Sequence, residues 1–111
     1  MTNPNYTLPA ELSPGARSIA SALRAHLIAE GVTPGSRVFM LADEICNNLG
    51  PNGVIVQYDG SPEVARHFSL EKCSPDGSGS YDRIETTHKI CAEYGYKAQE
   101  ITHWYCAIVK A

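Results

Sequence analysis

The stretch SYDRIETTHKICAEYGYKAQEITHWYCAIVKA, residues 80–111, decides how this 111-residue chain folds. Asp82, followed three residues later by Glu85, resembles a capping box and predicts a helix over 82–94 that stops at Gly95. The residues after Gly95 alternate as a strand does, which predicts one long strand over 98–109. One face of this strand carries Trp104, Cys106 and Ile108, and its other face is also apolar. Such a strand is expected in the centre of a sheet or against another molecule.

A second helix is predicted near the start of the chain. Ser13 and Pro14 form a favourable N-cap and first helical residue, and Gly31 is a favourable C-terminal stop. Apolar residues recur between them at helical spacing, at Ala16, Ile19, Ala20, Leu23 and Leu27. The polar residues before this helix are interrupted by two prolines, so 1–12 is predicted as a flexible arm and 13–111 as a single domain.

Two segments in the middle of the chain fit either a helix or a strand. Residues 38–49 have apolar side chains at helical spacing, which predicts a helix from Val38; the alternative is a short strand over 37–41 followed by a helix from Asp43. Residues 54–58 are rich in β-branched side chains and predict a strand.

The segment after this strand is the second ambiguous place. Residues 61–72 begin like a helix, with serine and proline, but period-two spacing over 64–71 favours the second strand of a hairpin. We prefer the hairpin, because a lone strand requires a neighbour.

These elements predict an α+β fold, a single small domain. Its N-terminal helices and one C-terminal helix would pack on a small, mostly antiparallel sheet of about three strands: 54–58, 64–71 and 98–109. The predicted core contains apolar side chains from every element: Leu23, Leu27, Ile45, Leu49, Val54, Val56, Ile84, Trp104, Cys106 and Ile108.

Composition narrows the function only by exclusion. Nine basic and twelve acidic residues give a formal charge of −3, without the basic excess of a protein that binds the phosphate backbone. The N-terminal residues lack a secretory signal pattern, and no apolar run approaches the length of a membrane span. We therefore expect a cytoplasmic protein with reduced cysteines and no membrane association.

The motif Thr-His-x-x-Cys occurs twice, and its histidines and cysteines are candidate metal ligands. His88 and Cys91 lie three apart on a predicted helix and share a face, so both could reach one ion. His103 and Cys106 lie three apart on a predicted strand, where their side chains point to opposite faces. These four residues are therefore weak candidates, and the prediction is no metal and no cofactor.

Residues 19–50 resemble the beginning of a GntR-type winged-helix repressor. The resemblance is carried by an Ile-Ala-x-x-Leu-Arg segment, a Pro-Gly-Ser-Arg turn and Glu-Ile-Cys-Asn-Asn-Leu-Gly. It implies a helix-turn-helix DNA-binding regulator over 15–50, with Arg17, Arg24 and Arg37 as its basic groups. The chain departs from that family after Gly50, where a strand replaces the recognition helix.

The function that the sequence favours is a small non-catalytic binding or regulatory protein, of the inhibitor or mobile-element accessory type. The sequence contains no recognisable arrangement of catalytic residues, which argues against an enzyme. Aromatic residues anchor protein interfaces, and Tyr94, Tyr96 and Tyr105 are the predicted exposed anchors. A protein partner, including a second copy of the chain, is favoured over nucleic acid. A metal- or thiol-dependent protein, with Cys73 as the reactive thiol, is a further alternative.

Overall fold

The computed structural model describes residues 3–44, 53–69, 82–102 and 104–111. Three α-helices and four strands occur in these ranges, with bounds α1 Pro14–Ala29, α2 Pro62–Ala65, α3 Asp82–Glu93, β1 Phe39–Leu41, β2 Val54–Gln57, β3 Tyr96–Thr102 and β4 Tyr105–Lys110. Two short 3-10 helices, Pro4–Tyr6 and Ala42–Glu44, accompany them. The strands form one sheet in the order β1-β2-β4-β3, and every neighbouring pair is antiparallel. The α+β prediction is confirmed, with four strands where about three were expected.

Helix α1 forms as its sequence predicts. The Ser13 hydroxyl oxygen accepts a hydrogen bond from the Ala16 amide at 3.2 Å, which caps the first turn. Gly31 follows the helix with φ of +73°, a conformation that glycine adopts without strain. All five residues of the predicted apolar stripe are buried. This helix therefore supplies one wall of the main core.

The segment predicted as a flexible arm is held against the domain over its described residues. Tyr6 is buried, and its hydroxyl donates to the Val32 carbonyl at 2.6 Å. The Val38 amide donates to the Asn5 carbonyl at 2.9 Å. The physical reason is burial of an aromatic ring together with a paired hydroxyl, which fixes a segment despite its prolines. Residues 3–12 thus belong to the structural unit.

The helix predicted from Val38 is wrong at its start. Residues 39–41 form β1, with Phe39 opposite Val56 and Leu41 opposite Val54, so the alternative strand reading is correct there. Pairing with a neighbouring strand outweighs a helical spacing that the sequence also contains. The helical reading of 45–49 lies outside the described residues.

The hairpin strand predicted over 64–71 is also wrong where the structure describes it. Residues 62–65 form α2, whose backbone turns continue to the bond from the Ser69 amide to the Ala65 carbonyl. Pro62 begins this helix, and Val64 and Phe68, four apart, are both buried. The partner of β2 comes instead from β1 and β4.

The long strand predicted over 98–109 is two strands joined by a tight hairpin. Glu100 pairs with Cys106 and Thr102 with Tyr105, which leaves Ile101 as the extra residue of a β-bulge. The prediction of a central strand is correct for β4, which lies between β2 and β3. From Tyr105 onward its faces alternate as expected, but Trp104, predicted on the face of Cys106 and Ile108, packs with Tyr105 on the other face.

Both faces of the sheet carry apolar clusters. Cys106 and Ile108 belong to the main core with the helices, whereas Tyr105 and Ala107 cluster with Ile55 on the opposite face. Seven predicted core residues are buried: Leu23, Leu27, Val54, Val56, Ile84, Cys106 and Ile108. Trp104 is half-buried and packs with the opposite-face cluster, and Ile45 and Leu49 lie outside the described residues.

Candidate functional site

Of the three predicted tyrosine anchors, only one is exposed. Tyr94 is 45% accessible, whereas Tyr96 and Tyr105 are 4% and 7% accessible, so the exposure predicted for these two is wrong. Tyr96 follows the turn at Gly95 and lies against the first turn of α1, where its hydroxyl would be 2.7 Å from a Cβ at Gly15. A role of these residues in binding stays a prediction.

The residues of the repeated Thr-His-x-x-Cys phrase do not converge on one point. Helix α3 buries Ile84, Thr87 and Cys91, which turns His88 to solvent. Cys91 and Cys106 both lie in the main core, while His103 is outside the described residues. No group of three potential metal ligands lies together in the part of the chain that the structure describes.

The two core thiols are poorly suited to nucleophilic chemistry. Burial raises the pKa of the Cys91 thiol to about 11. Burial, followed by the charges of Cys91 and Glu100, raises the pKa of Cys106 as well. Both therefore stay protonated at neutral pH, and the thiolate is the reactive form. Cys73, the thiol predicted to be reactive, lies outside the described residues.

A surface pocket of about 190 Å³ lies where the β3–β4 hairpin meets the start of α2. We call it the hairpin-end pocket, and its lining combines aromatic, small apolar and polar residues: Tyr58, Asp59, Gly60, Ser61, Pro62, Ala65 and Trp104. The exposed carboxylate of Asp59 makes no ion pair within the described residues. An apolar wall with a few polar groups is the usual composition of a binding pocket.

The aromatic side chains that line this pocket are fixed by contacts with neighbouring residues. The Trp104 indole contacts Tyr105 edge-on, with ring centroids 4.6 Å apart. The Tyr58 amide donates to the Trp104 carbonyl at 2.8 Å, and the Tyr58 ring stacks on Phe68. Beside the hairpin turn, the bulged Ile101 is 45% exposed. A fixed aromatic group beside an exposed apolar residue is suited to contact with another molecule.

The polar floor of the hairpin-end pocket is closely hydrogen-bonded. The Ser61 hydroxyl oxygen accepts from the amides of Gly35 and Ser36, at 2.8 and 3.2 Å. The Gln57 side chain donates to Arg37's carbonyl and accepts from the Asp59 amide at 3.1 Å. These bonds tie the loop before α2 to the turn after α1, so the pocket is preformed.

A second pocket of about 170 Å³ lies where the helix ends meet, and we call it the helix-end pocket. Its lining is mainly charged: Glu30, Gly31, Val32, Glu63, Arg66, His67 and Arg83. His67 is buried, with 3% of its surface accessible, and meets the His26 ring edge-on at a centroid distance of 5.6 Å. Nδ1 of His67 and Nε2 of His26 are enclosed without a hydrogen-bond partner.

The protonation state of His67 follows from these surroundings. Burial lowers its pKa to about 4, and the nearby charges of His26 and Arg83 act in the same direction. Glu30 has the opposite, smaller effect. The imidazole is therefore neutral at physiological pH.

Sequence reasoning missed both pockets. Trp104 was placed within a strand, because residues 98–109 contain no glycine, proline, asparagine or aspartate to signal a turn. Glu63 and His67 are four apart, a spacing that places them on one helical face, but this signal has meaning only if 61–68 is helical. No sequence signal joins His26 to His67, because their contact is made by tertiary packing.

Comparison of this chain with protein-family models, with curated protein sequences and with solved structures finds no match. Within the described ranges, every helix is too short or too polar to traverse a lipid bilayer.

Proposed function

We propose that this chain is a small non-catalytic binding protein that contacts a protein partner at the hairpin-end pocket. The observation that carries the proposal is the half-buried Trp104, fixed by Tyr105 and lining a preformed pocket. Tryptophan is among the residues most enriched where interface binding energy concentrates. A fixed ring also loses little conformational entropy on binding.

The chemistry of the pocket defines what the partner presents. Pro62 and Ala65 extend the apolar wall formed by Trp104, and Asp59 adds a carboxylate. A lysine or arginine side chain matches this arrangement, because its apolar stem covers the wall while its charge meets the carboxylate. The partner is therefore a protein segment with an exposed basic side chain. The exposed Ile101 beside the turn extends the contact.

This proposal retains the regulatory, cytoplasmic role expected from the sequence. The partner is a different protein or a second copy of the chain, and the two are distinguished by the self-association of the purified protein. Tyr94 is the one sequence-predicted anchor that is exposed, and it precedes β3, at the opposite end of that strand from the hairpin turn.

No observation favours the alternative of a helix-turn-helix DNA-binding regulator. Residues 39–41 form a strand where that motif requires helix. The three basic groups are also engaged: Arg17 donates to the Pro9 carbonyl at 2.6 Å, Arg24 to the Tyr6 carbonyl, and Arg37 pairs with Glu44. Groups used in this way are poorly placed to contact phosphates.

The proposal is tested by affinity capture from the native host, followed by binding measurements with the purified partner. Trp104→Ala is expected to weaken the partner's affinity by at least about tenfold, the usual loss at an anchoring tryptophan. Asp59→Asn should weaken it by a few-fold and make the remaining affinity less sensitive to salt. The same measurement on Tyr94→Ala tests the sequence-predicted anchor.

Ile28→Ala is the matched control, since Ile28 is 50% exposed on α1, away from the pocket lining. It should leave affinity unchanged. Thermal unfolding of each variant separates lost binding from lost structure. If Trp104→Ala and Asp59→Asn both fold and bind as the original chain does, the hairpin-end pocket is not the contact site.

A further inference from the structure

We propose that the helix-end pocket binds a small zwitterion, a molecule that carries an ammonium and a carboxylate a few bonds apart, as free amino acids do. The pocket presents two guanidinium groups, two carboxylates and one buried imidazole with an unpartnered nitrogen. A ligand with a single sign of charge would meet repulsion from half of these groups. A zwitterion can satisfy both halves.

The charges in this pocket remain available to a ligand. Neither Arg66 nor Arg83 lies within ion-pair distance of a carboxylate in the described part of the chain. One carboxylate oxygen of Glu63 accepts from the Thr33 amide at 3.2 Å, which fixes that side chain at the pocket wall. Charged groups that share a pocket without pairing leave their attraction for a bound molecule.

The helix ends favour one orientation of the ligand. Glu30 is the C-cap of α1, a 16-residue helix whose carboxyl end carries partial negative charge. Arg83 lies in the first turn of α3, a 12-residue helix whose amino end carries partial positive charge. The ammonium group of the ligand is therefore expected beside Glu30 and its carboxylate beside Arg83.

His67 adds a buried polar ring to the wall of this pocket. It is about 97% buried, given its 3% accessibility, and it lines the pocket. An enclosed polar atom without a hydrogen-bond partner destabilises a fold. Because its pKa is lowered to about 4, the ring is neutral at physiological pH and adds hydrogen-bonding capacity without further positive charge.

The size of the pocket limits the ligand. A volume of about 170 Å³ compares with roughly 30 Å³ for each water molecule in the liquid, which corresponds to about six non-hydrogen atoms. Glycine, alanine and serine fall within this range. A ligand of this size in an open pocket is expected to bind with a Kd on the order of 1 mM.

The test is titration of the isotopically labelled protein with glycine and with alanine, followed by amide NMR shifts, at neutral pH. Acetate, methylamine and inorganic phosphate are titrated separately as single-charge probes. Saturable shifts at residues 30–33, 63–67 and 83 with the amino acids, and at least about tenfold weaker binding of the three other probes, support the proposal. Equal or tighter binding of phosphate or acetate overturns it, as does the absence of saturable shifts with either amino acid.

Variants identify the ends of the ligand. Arg83→Gln and Glu30→Gln, both at exposed positions, should each weaken binding at least about tenfold, because each removes one charge-assisted contact. Lys89→Gln is the matched control, an exposed charge on α3 outside the pocket lining, and should bind as the original chain does. If Arg83→Gln and Glu30→Gln both bind as tightly as Lys89→Gln, the pocket assignment is wrong.

Discussion

The two ends of the short helix α2 differ in how far their buried polar groups are hydrogen-bonded. At its start, the Ser61 hydroxyl accepts two backbone amides, and this corner is closely hydrogen-bonded. Beyond its end, His67 and the neighbouring His26 each keep an enclosed nitrogen without a partner, beside four charged side chains. The first arrangement fixes backbone geometry. The second leaves two enclosed nitrogen atoms unpaired, which costs stability.

The largest loss of stability is expected from a substitution that separates the hydrogen-bonded loop before α2 from the turn after α1. In Gly35→Ala, the new Cβ would clash with the Gly60 carbonyl oxygen, so the backbone must move. We expect a loss of about 3 kcal/mol in the free energy of unfolding, measured by urea denaturation.

Gly15→Ala is the control for Gly35→Ala. Its Cβ would lie 2.7 Å from the hydroxyl of the buried Tyr96, so that side chain must shift, but no backbone atom is met and alanine favours a helix. We therefore expect a smaller loss of stability than for Gly35→Ala. Equal losses for the two variants would show that the close approach at Gly35 has no special role.

The next effect on stability is expected from acid, which acts on the buried His67 beyond the end of α2. The pKa of His67 is about 4 in the folded protein and about 6.5 in the unfolded chain, so the unfolded chain binds the extra proton first. Stability is therefore fully present well above pH 6.5 and falls as pH drops from 6.5 to 4, by about 3 kcal/mol from this residue.

The measurement compares unfolding free energies of the original chain and of His67→Leu across this range. The variant should be less sensitive to acid, since the titration of carboxylates elsewhere is common to both proteins. Parallel pH profiles for the two chains would mean that His67 is not held neutral by its surroundings.

The smallest loss of stability is expected from a substitution at the hydrogen-bonded start of α2. Ser61→Ala removes the acceptor for the amides of Gly35 and Ser36, and we expect a loss of about 1.5 kcal/mol by thermal denaturation. Ser18→Ala, an exposed serine on α1, should change stability by less than about 0.5 kcal/mol. If the two serine variants are equally stable, the hydrogen bonds at Ser61 do not hold this corner together.

The sequence predicted the elements whose signals are local. Ser13 and Gly31 set the ends of α1, and Gly95, with φ of +76°, ends α3 as expected. The apolar residues of β4 predicted a central strand, because only burial on both sides explains apolar residues on both faces.

The errors arose where pairing or packing at a distance decides the structure. Strand β1 exists because β2 lies beside it, although its sequence also fits a helix. A turn at Trp104 divides the predicted long strand, and Tyr105 is buried in the opposite-face cluster. The two pockets join residues far apart in sequence, such as Glu30 with Arg83, and no spacing rule predicts such a meeting.

The position of β4 has a consequence for biosynthesis. It comes after all the other described strands in the chain, yet it lies between β2 and β3. The ribosome delivers β2 about fifty residues before its partner, which leaves that strand with one open side during translation. The sheet can close only after residues 105–110 have emerged, so shielding of nascent β2 is a requirement that the topology itself imposes.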